Sequence, residues 1–269
     1  MALGVAVGVA AGWAGGCSTG ADNDAPDDGR PDAAAVRETY ERAIEWASAQ
    51  LDATDPFTLV VYDHLYRRFG IAEFDRARPL AVDALDTLGE TEERRLIDPD
   101  ARVDPAAFDD PDAYAPGLLV AGALACDEPG SPPDFEQWLA DAIAAGGYDL
   151  THAAVAIGIE TELGCAPTGG DARRGEIVDA LSKAVAADRD VDDVAIERMA
   201  MLVYLDELDR VPDQRLGDLV AAQQPDGSFT TTEAGFERHT TALAIWVLGA
   251  VVERDEGRRP QAAPLVLSS

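Results

Sequence analysis

Gln223–Phe229 reads QQPDGSF, and His239–Leu248 follows as HTTALAIWVL. The first stretch is turn chemistry. Pro225 fixes φ, Asp226 can hydrogen-bond neighbouring backbone, and Gly227 is free to take positive φ. The second is an apolar, alanine-rich run without strand alternation, and it reads as helix. Gln223 would end the helix before the turn, at about 214–222, whose apolar residues mark one face only. A helix apolar on every side is buried on every side. The stretch therefore describes a hairpin with one outer and one inner helix.

The same alternation extends back along the chain. Val36, Tyr40, Ala43, Ala47 and Leu51 mark one helical face. Phe135, Trp138, Leu139 and Ile143 mark another, and Ile177, Val178, Leu181 and Val185 a third. Amphipathic segments are expected at about 33–52, 74–88, 134–145, 173–187 and 214–222. Segments apolar nearly all round are expected at about 57–68, 115–126, 151–164, 193–208 and 239–252. Gly, Pro and Asp clusters separate them. The last three apolar segments start at Thr151, Asp193 and His239, 42 and 46 residues apart. A period of that size predicts stacked helical hairpins, here about five in an all-α domain over 32–255.

Gln223, Asp226, Gly227 and Phe229 in Gln-x-x-Asp-Gly-x-Phe resemble the QW-type repeat of terpenoid cyclases and protein prenyltransferases. That resemblance implies an α/α toroid, with inner helices inside an outer ring. Five pairs would leave a six-pair ring incomplete. A generic helical bundle or solenoid is the alternative. DVDD at Asp190–Asp193 is similar to the Asp-x-Asp-Asp acid motif of class II terpene cyclases. The likeness implies a proton-donating role for Asp192 or Asp193. The other reading of the same residues is an aspartate N-cap on the next helix, and only 6% of the chain is aromatic, little for a carbocation cavity.

His152, Asp192 and His239 head three apolar segments that would run parallel. Their N-termini would then meet at one end of a central funnel. Two imidazoles and a carboxylate are a possible transition-metal set, zinc by type, with open positions. The prenyltransferase zinc histidine stands in a His-Thr context like His239-Thr240, although the family's partner cysteine has no counterpart here. The alternative is a set of polar side chains that merely line the funnel. His64, beside Arg67 and Arg68, is expected to be partly exposed. Cys126 and Cys165 close two neighbouring apolar segments. His152 to Cys165 is 13 residues, about 20 Å of helix, so the cysteines belong at the opposite end. A Cys126–Cys165 disulfide is expected there, with two buried thiols as the alternative.

Met1–Cys17, MALGVAVGVAAGWAGGC, resembles a bacterial lipoprotein signal, with Ala14–Cys17 as its lipobox. The resemblance implies export, lipidation at Cys17 and membrane attachment through that lipid. Residues 18–31, polar and acidic, read as a flexible linker, and 256–269 as a disordered tail. The net charge is −30, and Lys183 is the one lysine. Such a surface repels nucleic acid. High-salt adaptation or genome composition would each produce it. No nucleophile elbow, P-loop or dinucleotide fingerprint occurs. The expected function is binding of a ligand or protein partner in the funnel without catalysis. The alternatives are a metal-dependent enzyme at the funnel mouth and, more remotely, a cyclase-like enzyme.

Overall fold

The described residues form ten α-helices: α1 (Ala33–Ser48), α2 (Pro56–Phe69), α3 (Ala77–Leu88), α4 (Ala115–Leu124), α5 (Phe135–Ala145), α6 (Gly147–Glu162), α7 (Gly170–Ala187), α8 (Asp193–Tyr204), α9 (Asp213–Ala222) and α10 (Glu237–Asp255). The computed structural model describes residues 29–88, 93–104, 106, 108, 115–127, 132, 134–229, 236–258 and 263–267, and it contains no strand among them. The protein is all-helical. Residues 1–28, which include Cys17, lie outside the described residues.

Burial separates the helices into the two expected types. In α10 every residue from Thr240 to Glu253 is buried. In α1 only Val36, Thr39, Ala43 and Ala47 are, a single stripe at helical spacing. The inner helices pack in the order α2, α10, α8, α6, α4, each against the next. The outer helices cover them less regularly than successive hairpins would. α5 packs on α6 and α7 on α8, but α3 lies on α2, and α1 packs mainly on α10, the last inner helix. Gly158 permits the α6–α8 contact: a Cβ there would stand 2.1 Å from the Tyr204 ring.

Local chemistry sets the helix ends. Asp55 caps α2 by accepting from Thr58 N at 2.9 Å, with Pro56 at the first helical position. Gly70, at φ 70°, ends it in the left-handed region. α6 begins at Gly147, four residues before the expected Thr151, so Tyr148 falls in its first turn.

The QQPDGSF turn joins the two ends of the chain. Gln223 donates through Nε2 to Thr39 O on α1 at 2.8 Å and to Gly227 O at 3.0 Å. Arg42 donates to the Gln224 and Pro225 carbonyls, both at 2.9 Å. Asp226 accepts from Ser228 N at 3.0 Å and Ser228 Oγ at 2.7 Å. Phe229 is buried, and its N–H donates to Thr241 Oγ1 of α10 at 3.0 Å. The turn thus ties α9 to α1 and α10 together.

Two expectations need correction. The 256–269 tail is not wholly disordered, because residues 264–267 dock. Glu162 accepts from Leu265 N at 2.8 Å and Val266 N at 2.9 Å. Arg67 donates to the Pro264 and Leu265 carbonyls, and Leu267 N donates to Leu96 O. Leu265 and Val266 are buried. Pro264–Leu267 is a short apolar run whose partners lie far back in the chain, on α2 and α6, so nothing in its own neighbourhood indicates the anchor. His64 is also buried, not partly exposed, with its ring 4.4 Å from that of Trp246. Burial, reinforced by the nearby Arg67, pushes its pKa down to about 3.

Gly227 has φ 98°, and a Cβ there would meet the Arg42 carbonyl oxygen at 2.6 Å. Gly227→Ala should cost about 2–3 kcal/mol, measured by urea unfolding. An unchanged midpoint would show that the turn does not constrain α1. His64 gives a second test. The unfolded chain binds its proton below about pH 6.5, whereas the folded chain resists protonation until about pH 3. Its contribution is complete above the unfolded pKa and is lost as pH falls, by about 1.4 kcal/mol per unit. From pH 7 to pH 5, wild type should lose about 2 kcal/mol more stability than His64→Phe. Equal losses would refute the assignment.

Candidate functional site

The five inner helices surround a cavity of about 760 Å³. Its apolar wall includes Val61 of α2, Val120 of α4, Val155 of α6, Met201 of α8, and Leu243 and Trp246 of α10. Leu265 of the docked segment also lines it. Leu265 is held at Glu162, ten residues along α6 from His152, or about 15 Å. The segment therefore belongs to the end of the cavity away from His152.

The other end is polar, and it is built from the first two turns of α6, α8 and α10. Tyr148 and His152 come from α6, Asp193 and Glu197 from α8, and His239 and Thr240 from α10. Asp193 is buried. It accepts from Tyr148 Oη at 2.8 Å through Oδ2, and from the Thr240 hydroxyl through Oδ1. Glu197 lies one helical turn further along the same face of α8 and is 3% exposed. Its Oε2 has no hydrogen-bond partner.

His152 Nδ1 stands 2.9 Å from the Tyr148 carbonyl oxygen. A carbonyl only accepts, so Nδ1 carries a hydrogen, and Nε2 holds the lone pair in the neutral ring. The same Nδ1 is 3.6 Å from Glu197 Oε1. Burial lowers the His152 pKa, and the charge of His239 adds to the effect. Burial raises the Glu197 pKa to about 8; the Thr151 hydroxyl opposes this and the Asp193 charge assists it. The two carboxyl groups and His239 offer ligand atoms that all lie within 4.8 Å of one another.

This differs from the set read in the sequence. His239 is at the site. His152 lines the same cavity and touches Glu197, but lies outside the tight group. Asp192 does not join it: its carboxylate caps α8, accepting from Ala195 N at 2.8 Å. Asp193, the next residue, faces the cluster instead. DVDD is thus divided between a cap and a site. Glu197 and Tyr148 were missed, yet both were legible. Glu197 is four residues after Asp193 and Tyr148 four before His152, the spacing that shares a helix face.

Cys126 and Cys165 form a disulfide at the opposite helix ends, with Cα atoms 6.2 Å apart. It borders a second cavity of about 620 Å³, where Glu160 accepts from Thr168 N and Oγ1 at 2.9 and 2.7 Å. Comparison of the chain with protein-family models, with curated proteins and with solved structures finds no match.

Proposed function

We propose that this is an exported, lipid-anchored α/α toroid-like protein that binds an apolar small molecule in its central cavity, without catalysis. The observation that carries the reading is the cavity itself: apolar walls from five inner helices, and one polar end formed by His152, Glu197 and His239. Its volume falls in the range of small-molecule sites, roughly 300–1,000 Å³. Such a site orients a ligand by pairing a long apolar body with a few polar contacts. The polar end suits a head group that donates a hydrogen bond to Glu197.

A cyclase-like acid role has less support. Asp192 is engaged as a helix cap, and both oxygens of Asp193 already accept from hydroxyl groups. Export has indirect support from the Cys126–Cys165 disulfide, since such bonds persist in oxidising compartments. Attachment rests on Cys17 in its lipobox-like context. No helix among the described residues is long and apolar enough to cross a bilayer, so the proposed lipid would supply the contact with the membrane. A net charge of −30 argues against nucleic acid as a partner.

The cavity reading is tested with N-phenyl-1-naphthylamine, an apolar fluorophore able to accept energy from Trp246. Saturable one-to-one binding is expected. Val155→Trp, which fills space at a partly exposed wall position, should weaken binding by about tenfold or more with helicity unchanged. Unsaturable binding, or binding indifferent to Val155→Trp, counts against the reading. For the anchor, Cys17→Ser should move the protein from the membrane fraction to the soluble fraction of the producing cell. Continued membrane association of that variant would refute lipidation there.

A further inference from the structure

We propose that Asp193, Glu197 and His239 form a binding site for one divalent first-row transition-metal ion, zinc by ligand type. The site needs no apolar ligand, so it stands or falls separately from the function proposed above. Three observations point to it. The three residues bring one imidazole and two carboxylates together, with ligand atoms within 4.8 Å of one another. Metal–ligand bonds of about 2.0–2.2 Å require these atoms to draw somewhat closer than they stand.

The second observation is charge. Asp193 and Glu197 are both buried, one turn apart on α8. No arginine or lysine among the described residues forms an ion pair with either. Arg198, the nearest in sequence, pairs with Asp188 at 2.6 Å. Buried carboxyl groups so placed need a proton or a cation to neutralise them. The third is an unsatisfied acceptor. Glu197 Oε2 is fully buried in the protein and has no hydrogen-bond partner. Buried acceptors are rarely left so, and an ion is one of the standard explanations.

The surroundings fit a metal centre. Tyr148 and Thr240 donate to Asp193 and hold its carboxylate in place, as outer-shell groups do for metal ligands. His152, fixed by the Tyr148 carbonyl, stands against Glu197. Glu197 and His239 both face the cavity, so a bound ion would keep positions open to it. An imidazole with two carboxylates selects zinc, cobalt or iron over magnesium.

The test uses untagged, full-chain protein stripped with EDTA, titrated with Co²⁺ by absorption spectroscopy and with Zn²⁺ by calorimetry. One-to-one binding is expected, with Co²⁺ bands of low coordination number that persist in excess Mg²⁺. Glu197→Gln and His239→Ala should each weaken binding by about tenfold or more, whereas Asp192→Asn should not, because that residue caps α8. Zn²⁺ should raise the melting temperature of wild type but not of Glu197→Gln. That variant keeps the size of the side chain, so lost binding with an intact melting transition is not misfolding. The proposal is overturned if no Zn²⁺ or Co²⁺ binds, if Mg²⁺ displaces Co²⁺, or if binding survives Glu197→Gln and His239→Ala.

Discussion

The constraint on which the rest of this structure depends is the burial of α10. No residue from Thr240 to Glu253 reaches solvent appreciably, so the helix must be covered on every side. α8 and α2 flank it within the inner set, and α1 covers it from outside. α1 comes from the other end of the chain, so burying α10 also closes the sequence on itself. The QQPDGSF turn secures that closure through hydrogen bonds from Gln223 and Arg42. Side-chain to backbone bonds of this kind set register, which apolar contact alone does not.

Burial on all sides also dictates where polar groups go. Each charged residue on an inner helix must find a partner. Glu253 of α10 pairs with Arg68 of α2 at 2.7 Å. Asp63 of α2 takes Arg67 and Arg78 at 2.8 and 3.0 Å. Glu162 of α6 takes the amides of Leu265 and Val266. Asp193 takes two hydroxyls. Glu197 is the member of this series left with an unpartnered oxygen, and it faces the cavity. Thr58 Oγ1, the His64 ring nitrogens, Arg198 Nε and Tyr204 Oη on these helices also lack a hydrogen-bond partner, and Glu197 is the carboxyl group among them.

The helices were legible in the sequence because hydrophobic period and turn chemistry are local. All ten expected segments are helices, with boundary shifts where glycine or a cap decides. α6 starts early at Gly146-Gly147, and α8 ends early near Asp206, whose φ is 60°. Long-range placement was less legible. Nothing local says that α1 covers α10, that 264–267 is clamped by Glu162 and Arg67, or that His64 lies under Trp246. The site fell between the two cases. The three helices expected to meet do bring polar side chains together, but on α8 Asp193 rather than Asp192 faces the cluster. In DVDD either aspartate can cap, and which one does is settled by the helix start at Asp193.

The electrostatics of the polar end follow from the same geometry. The first turns of α6, α8 and α10 converge there, and helix N-termini carry partial positive charge. That field favours anions, and an empty end of this kind would attract an anionic ligand. Here that end carries the protein's own carboxyl groups, Asp193 and Glu197, and burial pushes Glu197 toward its protonated form. The Arg198 guanidinium, whose charge acts on Glu197, is itself paired with Asp188, and burial keeps His152 from protonating readily. A ligand that brings a hydrogen-bond donor or a cation would meet the unpartnered oxygen of Glu197, whereas one that brings an anion would meet the Asp193 carboxylate. On the proposed reading of the cavity, an acidic head group would be disfavoured at this end, even though three helices begin there.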